Sequence, residues 1–293
     1  MMKKNVFVVA SLFLLLTKIH AQDTIHVVLL AGQSNMAGHG DYDQLDEKTK
    51  KRFETIKGRV VLSVSENPKI KAQPIAPKNG KPSEKYNFTK HFGPEIFIAL
   101  TLAEAHPTQK YLFIKKAVGG TSLYGAWSAD YSKEKAVFSE RGKERQTMQL
   151  YAAHQNQIHQ ELKKLDDKGI PYKIIGMAWM QGEADTNKPE TANAYQENLE
   201  LLIQGYRKEF KTLDMPFVFG QVNPLPRKFK EGPMLVRKAM EKVAQNDSRC
   251  ELVKTKPKDP WLDYPKHSDN LHYNHIGQER LGTDLGEVLL RLQ

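Results

Sequence analysis

The sequence predicts an α/β fold, a three-layer α/β/α sandwich around a doubly wound parallel sheet of about five strands. Short apolar runs rich in valine and isoleucine alternate along the chain with longer stretches of helical period. Runs that are this short and this continuously apolar are typical of strands buried on both faces, as in a parallel sheet. Their alternation with amphipathic helices favours right-handed connections that place helices on both faces of the sheet.

Five apolar runs are the predicted strands. They cover residues 25–31, 111–118, 172–180, 216–222 and 250–255. The predicted helices cover residues 94–106, 145–168, 189–210, 234–245 and 275–292. The first helix begins at Pro94, where the missing amide hydrogen is not needed, and it ends before Pro107. In a flavodoxin-like winding order the first and third strands are neighbours.

The N-terminus has the three-part pattern of a secretory signal peptide. Met1-Met2-Lys3-Lys4 is followed by an apolar stretch over residues 6–16 and by Ala21 at a plausible cleavage site. The apolar stretch is too short to span a bilayer as a helix. We therefore predict a leader at residues 1–21 and a secreted or periplasmic protein. Residues 22–293 are predicted to form a single domain without a membrane span.

The charge of the chain argues against a nucleic-acid-binding protein. The formal net charge of +10 falls to +7 once the three lysines of the predicted leader, which contains no acid, are removed. This moderate excess is spread along the sequence and forms no basic stripe, and no nucleic-acid-binding motif is present. The sequence leaves the oligomeric state open.

Residues 41–91 interrupt the alternation of strands and helices. The segment is dense in Lys, Asp, Glu and Pro, and R-V-V-L-S-V is its only possible strand. A stretch of this length inside a compact domain is usually a functional loop or an insertion. Because it begins close to Ser34, we expect it to form part of the rim of a site. A solvated surface excursion is the alternative.

Polar residues follow the ends of three predicted strands. Ser34 lies three residues past the first strand, in G-Q-S-N-M. The second strand runs into Gly119-Gly120, and the third runs into Q-G-E-A-D, which begins at Gln181. Ligands of doubly wound sheets bind at the carboxyl ends of the strands. Ser34 is therefore a candidate nucleophile, although a serine here is also favoured as a helix N-cap.

A serine nucleophile needs a base, usually a histidine that a third group holds in place. Asp269 and His272 lie three residues apart before the last predicted helix. The carboxylate can bond one ring nitrogen while the other faces Ser34. Asp259 and Asp263 are nearby alternatives for the acid. The same region also permits a metal-site hypothesis, with four possible ligands: His267, Asp269, His272 and His275.

The order of these blocks resembles the SGNH hydrolase superfamily, in its branch of sialate O-acetylesterase-like proteins and family-six carbohydrate esterases, which includes acetyl xylan esterases. The matching blocks are G-Q-S-N-M, A-V-G-G-T-S, Q-G-E-A-D and D-N-L-H-Y-N, and they span nearly all of the chain after the leader. The resemblance implies the superfamily's flavodoxin-like fold. It also implies Ser34 as the nucleophile, His272 as the base and Asp269 as the acid that orients it.

The resemblance further implies the donors of an oxyanion hole. They are the amide of Ser34, a glycine amide at Gly119 or Gly120, and the side chain of Gln181. Gln181 stands where the superfamily has the Asn of its name, a substitution known in this branch, and it carries the same donor group. We expect four flanking residues to support the loops of the site: Gln33, Asn35, Glu183 and Asp185.

The activity that the resemblance implies is the removal of O-acetyl groups from a carbohydrate by a secreted serine esterase through an acyl-enzyme. It implies neither a metal nor an organic cofactor. The expected partner is the acetylated carbohydrate substrate, and the sequence does not distinguish xylan, a sialic acid and other glycans. Two alternatives belong to other classes: a non-catalytic carbohydrate-binding protein on the same fold, and a metal-dependent hydrolase. The complete triad pattern favours the esterase.

Overall fold

A computed structural model describes residues 24–67, 69–254 and 264–293 of the chain. The predicted leader at residues 1–21 and the alternative acids Asp259 and Asp263 lie outside these ranges. In chain order the strands are β1 (Ile25–Gly32), β2 (Gly40–Asp41), β3 (Val60–Ser63), β4 (Gln73–Pro74), β5 (Lys78–Asn79), β6 (Lys90–Phe92), β7 (Tyr111–Ala117), β8 (Tyr172–Met180), β9 (Phe217–Gly220) and β10 (Cys250–Val253). The α-helices are α1 (Ser34–Ala37), α2 (Glu47–Ile56), α3 (Glu95–Ala105), α4 (Lys133–Ser139), α5 (Leu150–Asp166), α6 (Pro189–Asn193), α7 (Tyr195–Glu209), α8 (Gly232–Asn246) and α9 (His275–Leu292). Within the described ranges, no helix combines the length and the apolar character that crossing a membrane requires.

The centre of the fold is a seven-stranded sheet in the order β10-β9-β8-β1-β7-β3-β4. Every neighbouring pair is parallel except β3 and β4. Helices flank this sheet, so the predicted fold class is confirmed. The five predicted strands follow the flavodoxin-like order, with β8 directly beside β1.

The sheet contains two strands more than the five that were predicted. The run R-V-V-L-S-V supplies β3, which lies parallel to β7, and β4 forms an antiparallel edge beside it. Val60 of β3 is fully buried. Burial of this apolar side chain therefore stabilises the position of β3, a part of segment 41–91, in the main sheet. The rest of the segment contributes α2 and, with β2, a small antiparallel sheet in the order β2-β6-β5.

Two predicted helices differ from the structure by more than one or two terminal residues. The helix predicted over residues 145–168 begins at Leu150, whose amide donates to the carbonyl of Ala126, because residues 145–147 form a single 3-10 turn and Met148 is extended. The helix predicted over residues 189–210 is divided into α6 and α7. At Ala194, between them, ψ is −4°, whereas a helical residue has a ψ of about −42°.

Three neighbouring strands end at the same level of the sheet. Gly32 of β1 lies opposite Ala117 of β7 and Met180 of β8. Gly32 has a φ of 152°, and a Cβ atom there would lie 2.0 Å from the carbonyl oxygen of Met180. The absence of a side chain therefore allows β1 to approach β8 this closely. As a result, the residues that follow the three strands converge at one edge.

Candidate active site

A cavity of about 520 Å³ lies at this edge of the sheet. Its wall contains Ser34 after β1, Gly119 and Gly120 after β7, and Glu183 after β8. The loop before α9 adds His272 to the same wall. The tertiary structure therefore brings the candidate nucleophile and the candidate base to one cavity, although they are far apart in sequence.

Ser34 is closely surrounded at the cavity wall, and only 6% of its surface is exposed. A Cβ atom at Gly119 would lie 3.4 Å from the Cβ of Ser34, so the loop after β7 passes directly over the serine. The N-cap of α1 is Gln33 and not Ser34, which excludes the N-cap alternative. Among the described residues, the amides of Ser34, Gly119 and Gly120 donate to no backbone carbonyl.

His272 is held by a carboxylate from its own loop. Its Nδ1 lies 2.5 Å from Oδ2 of Asp269. The other oxygen of Asp269 accepts the amides of Leu271 at 2.9 Å and His272 at 3.0 Å. Because a carboxylate accepts at Nδ1, that nitrogen carries the hydrogen in the neutral ring, and Nε2 is left as the acceptor.

The surroundings favour a neutral imidazole beside an ionised carboxylate. Burial lowers the pKa of His272 below its ordinary value of 6.5, although the Asp269 carboxylate acts in the opposite direction. Burial acts to raise the pKa of Asp269, but hydrogen bonds from His272 and Lys85 hold this pKa well below its usual range. His272 can therefore accept a proton at neutral pH.

Asn35 connects the chain at Ser34 with the loop that carries His272. Its Nδ2 donates to Oε1 of Glu183 at 2.7 Å and to the carbonyl of Leu271 at 3.3 Å. Its Oδ1 accepts the amide of Tyr273 at 3.0 Å. The last two bonds are made on either side of His272, and Asn35 itself is buried. The Asn35 side chain therefore fixes the loop that carries His272 relative to α1.

Gln181 is fully buried, and its side-chain donors are used inside the protein. Its Nε2 donates to the carbonyl of Thr121 at 3.0 Å and to Oδ2 of Asp185 at 2.6 Å. Asp185 also accepts the amides of Leu123 and Tyr124, and burial raises its pKa to about 7. These bonds tie the loop after β7 to the loop after β8. The geometry favours this supporting role for Gln181 over the donor role that the resemblance implies.

Two buried carboxylates line the cavity, those of Glu183 and Glu140. Burial raises the pKa of Glu183. Oε1 of Glu140 accepts the amide of Ser122 at 2.8 Å, its hydroxyl at 2.6 Å and the amide of Ala126 at 3.0 Å. The hydroxyl of Ser122 is thereby committed within the loop. The sequence pattern did not indicate Glu140, because it stands in a polar stretch with no motif.

Three further residues of the cavity wall were not predicted from the sequence: His39, Lys85 and Tyr86. The rings of His39 and His272 meet edge to face, with centroids 4.9 Å apart. The ring of Tyr86 stacks on His39 at 4.5 Å, and Nζ of Lys85 lies 2.6 Å from Oδ2 of Asp269. Lys85 and Tyr86 belong to segment 41–91. The sequence predicted that this segment lies beside the site, but no pattern indicated these two residues.

Cationic side chains dominate the charge of the cavity wall. Of the residues that the structure describes, only two buried carboxylates line the cavity, whereas six cationic side chains do. The six are Lys85, Arg141, Arg145, Lys188, Arg227 and Lys228. Arg145 donates to the carbonyl of Gly119 at 3.1 Å, and Lys188 donates to the carbonyl of Phe138. Such a wall attracts an anionic ligand.

The proposed metal ligands do not form a metal-binding group. Within the described ranges, no three or more His, Cys, Asp or Glu side chains are arranged to hold a metal ion. Asp269 and His272 bond each other, and Nε2 of His267 lies 2.7 Å from the carbonyl oxygen of His39.

Known structures share this fold at low sequence identity. A protein from Arabidopsis thaliana superposes with a TM-score of 0.66 at 18% identity, over 92% of this chain and 98% of that one. NanS gives 0.63 at 14% identity, over 92% and 98%. A carbohydrate acetylesterase from Xanthomonas citri gives 0.58 at 16% identity, over 91% and 56%. At these identities the likeness shows the fold alone.

The family match is more specific than the structural likeness. A comparison with curated protein sequences gives no significant match. Residues 24–291, however, match the family described as carbohydrate esterase, sialic acid-specific acetylesterase. This range contains every residue of the cavity wall. The chain therefore belongs to this family of carbohydrate esterases.

Proposed function

We propose that the protein is a serine esterase that removes O-acetyl groups from a sugar carrying a carboxylate. The observation that carries the proposal is that Ser34 and His272 line one cavity, with His272 bonded to Asp269. Membership of a carbohydrate esterase family supplies the class of substrate. A non-catalytic binding protein would have no use for a histidine and a carboxylate held in this way beside a serine.

The reaction proceeds through an acetyl-enzyme. The hydroxyl oxygen of Ser34 attacks the carbonyl carbon of the ester while Nε2 of His272 takes its proton. The bond to the sugar oxygen then breaks, and His272 returns the proton to that oxygen, which leaves as a hydroxyl. Water, activated by His272, attacks the acetyl group on Ser34 and releases acetate. Asp269 remains ionised and stabilises the imidazolium in both steps.

Backbone amides are the donors that we assign to the developing oxyanion. Gly119 and Gly120 line the cavity together with Ser34, and among the described residues none of the three amides donates to a backbone carbonyl. Fixed donors of this kind lower the energy of the tetrahedral intermediate in a site of low water content. Gln181 then acts indirectly, because its amide bonds the carbonyl of Thr121 in the same loop.

The charge of the wall supports an acidic substrate. Arg141, Arg227 and Lys228 line the cavity and have no ion-pair partner among the described residues. Guanidinium groups bind carboxylates with two parallel hydrogen bonds. An acetylated sialic acid carries such a carboxylate, whereas acetylated xylose units do not. We therefore infer a preference for acetylated acidic sugars over neutral xylan.

The direct test is acetate release from O-acetylated sialic acid, acetylated xylan and p-nitrophenyl acetate. We expect the highest kcat/KM for the acidic sugar and no turnover by Ser34→Ala. The double variant Arg227→Gln/Lys228→Gln, with Lys48→Gln as a control for surface charge, is expected to raise KM for the acidic sugar alone. Absence of turnover on all three esters would refute the esterase, and equal kcat/KM for the two sugars would refute the acidic preference.

We also infer that the protein is secreted or periplasmic, as a single domain of residues 22–293 released from its leader. The sequence of residues 1–21 supports this, with its basic start, apolar centre and terminal Ala21. Mass spectrometry of the protein recovered from its native compartment is expected to give Gln22 as the first residue. Recovery of a cytoplasmic chain that begins at Met1 would contradict the inference.

A further inference from the structure

Lys85 contacts the acid and the base of the triad from outside their loop. Its Nζ lies 2.6 Å from Oδ2 of Asp269 and 3.1 Å from Nδ1 of His272. The same carboxylate oxygen therefore faces two cationic or potentially cationic partners. Nδ1 already donates to Asp269, so the ammonium group of Lys85 forms no hydrogen bond with the ring and acts on it by charge.

The contact is built into a defined turn of segment 41–91. The amide of Ser83 donates to the carbonyl of Tyr86 at 2.9 Å, and the amide of Tyr86 donates to the hydroxyl of Ser83 at 3.0 Å. The ring of Tyr86 stacks on His39, which in turn meets the ring of His272. Lys85 is thus held against Asp269 by its neighbours on both sides.

We propose that Lys85 is a positioning residue that extends the activity of this esterase toward acidic pH, by holding Asp269 as a carboxylate and opposing protonation of His272. The inference rests on the proposed function, in which His272 must be neutral to accept the proton of Ser34. An ammonium group beside Nδ1 repels the imidazolium and so disfavours the inactive protonated base. It also shares Oδ2 with the ring, which weakens the stabilisation of the imidazolium by Asp269.

The other charged or titratable groups around the His272 ring do not place a cation against both the ring and Asp269. They are Asp269 and His267 on the loop of His272, Lys266 beside them, His39 after α1, and Tyr86 and His91 in the neighbouring segment. Burial lowers the pKa of His39 to about 3, so this ring stays neutral in the working range. Burial raises the pKa of Tyr86 well above its ordinary value of 10, so its hydroxyl stays neutral as well. Lys85 is the cation in direct contact with both Asp269 and His272 within the described residues.

The test is the pH profile of kcat/KM on p-nitrophenyl acetate, a neutral ester whose own charge does not change. Lys85→Met is expected to move the midpoint of the acidic limb upward by about 0.5 to 1 pH unit, the effect of one partly screened charge at this distance. Lys85→Arg keeps the charge and is expected to keep the midpoint. Lys90→Met, which removes a lysine of the same segment that pairs with Asp43, is the matched control and should also leave it unchanged.

Two further readouts separate charge from folding. In 1 M NaCl the difference between wild type and Lys85→Met is expected to shrink, because salt screens a half-exposed ammonium group. NMR titration of the His272 ring in the Ser34→Ala protein should show the same upward shift on adding Lys85→Met. An unchanged midpoint in Lys85→Met, or an equal loss of activity at all pH values, overturns the proposal. A wild-type protein that hydrolyses none of the three esters, O-acetylated sialic acid, acetylated xylan and p-nitrophenyl acetate, refutes the esterase function itself.

Discussion

At the residue scale, Ser34, His272 and Asp269 are expected to act as one unit. Ser34→Ala, His272→Ala or Asp269→Asn should each lower kcat by about 1000-fold or more, and double variants should lose little beyond the single ones. Ser122→Ala is the matched serine control, because its hydroxyl is bonded to Glu140 and lies outside the cavity wall. It should retain turnover. Losses that multiply in the double variants would contradict a concerted triad.

The acidic limb of the pH profile reports on His272. Burial lowers the pKa of this ring, and in the proposed mechanism the neutral ring is the base. Activity should therefore rise with pH through a single step whose midpoint lies below 6.5, the ordinary histidine value. Steady-state kinetics of the wild-type protein between about pH 4 and 8, a range that brackets the histidine pKa, measures this midpoint. A flat profile, or a midpoint above the ordinary value, would exclude His272 as the base in this environment.

Variants of Gln181 can show whether this side chain has a structural or a catalytic role. Gln181→Ala removes the donor from the Thr121 carbonyl and from buried Asp185, so the free energy of unfolding should fall by about 2 kcal/mol or more. Gln181→Glu should cost more, because it places a second carboxylate beside Asp185. Denaturant unfolding and kcat are measured together. A fall in kcat of about 100- to 1000-fold at unchanged stability would instead support the oxyanion donor implied by the resemblance.

At the scale of elements, the approach of β1 to β8 depends on Gly32. In Gly32→Ala the new Cβ atom would lie 2.0 Å from the Met180 carbonyl, at a φ of 152°. We expect a loss of about 3 kcal/mol or more in the free energy of unfolding, because both strands would have to shift. Gly58→Ala is the matched control, since a Cβ atom there meets no atom within 4 Å apart from those of its immediate chain neighbours. Equal stability of the two variants in denaturant would show that β1 and β8 can separate without cost.

The elements also explain which parts of the fold were predictable. The apolar runs of β1, β7 and β8 are local patterns, and strands buried on both faces are recognisable from such patterns alone. The extra strand β3 was visible only as a possible strand, because four residues gain their stability from β7 and not from their own sequence. The division of α6 from α7 has no proline or glycine to mark it, so it too depends on tertiary contacts.

At the scale of the whole molecule, the positive charge is expected to guide an anionic substrate to the cavity. The kcat/KM for an acetylated acidic sugar should fall when NaCl rises from about 0.01 M to 1 M, as the screening length contracts from about 30 Å to 3 Å. The kcat/KM for p-nitrophenyl acetate should change little. Equal salt dependence for both esters would show that the cationic wall does not contribute to substrate capture.

The sequence by itself determined the fold class, the order of the strands and the polar blocks at their ends. These features follow from local periodicity and from the rule that parallel strands present their carboxyl ends at one edge. The pairing of Asp269 with His272 was also predictable from the sequence, because the two residues are three positions apart and bond within one turn. The tertiary structure alone decided the direction of the Gln181 amide and the contact of Lys85 with the triad. The Lys85 contact with His272 joins residues 187 positions apart, and no local preference of either segment specifies such a meeting. It depends on how segment 41–91 packs against the sheet edge.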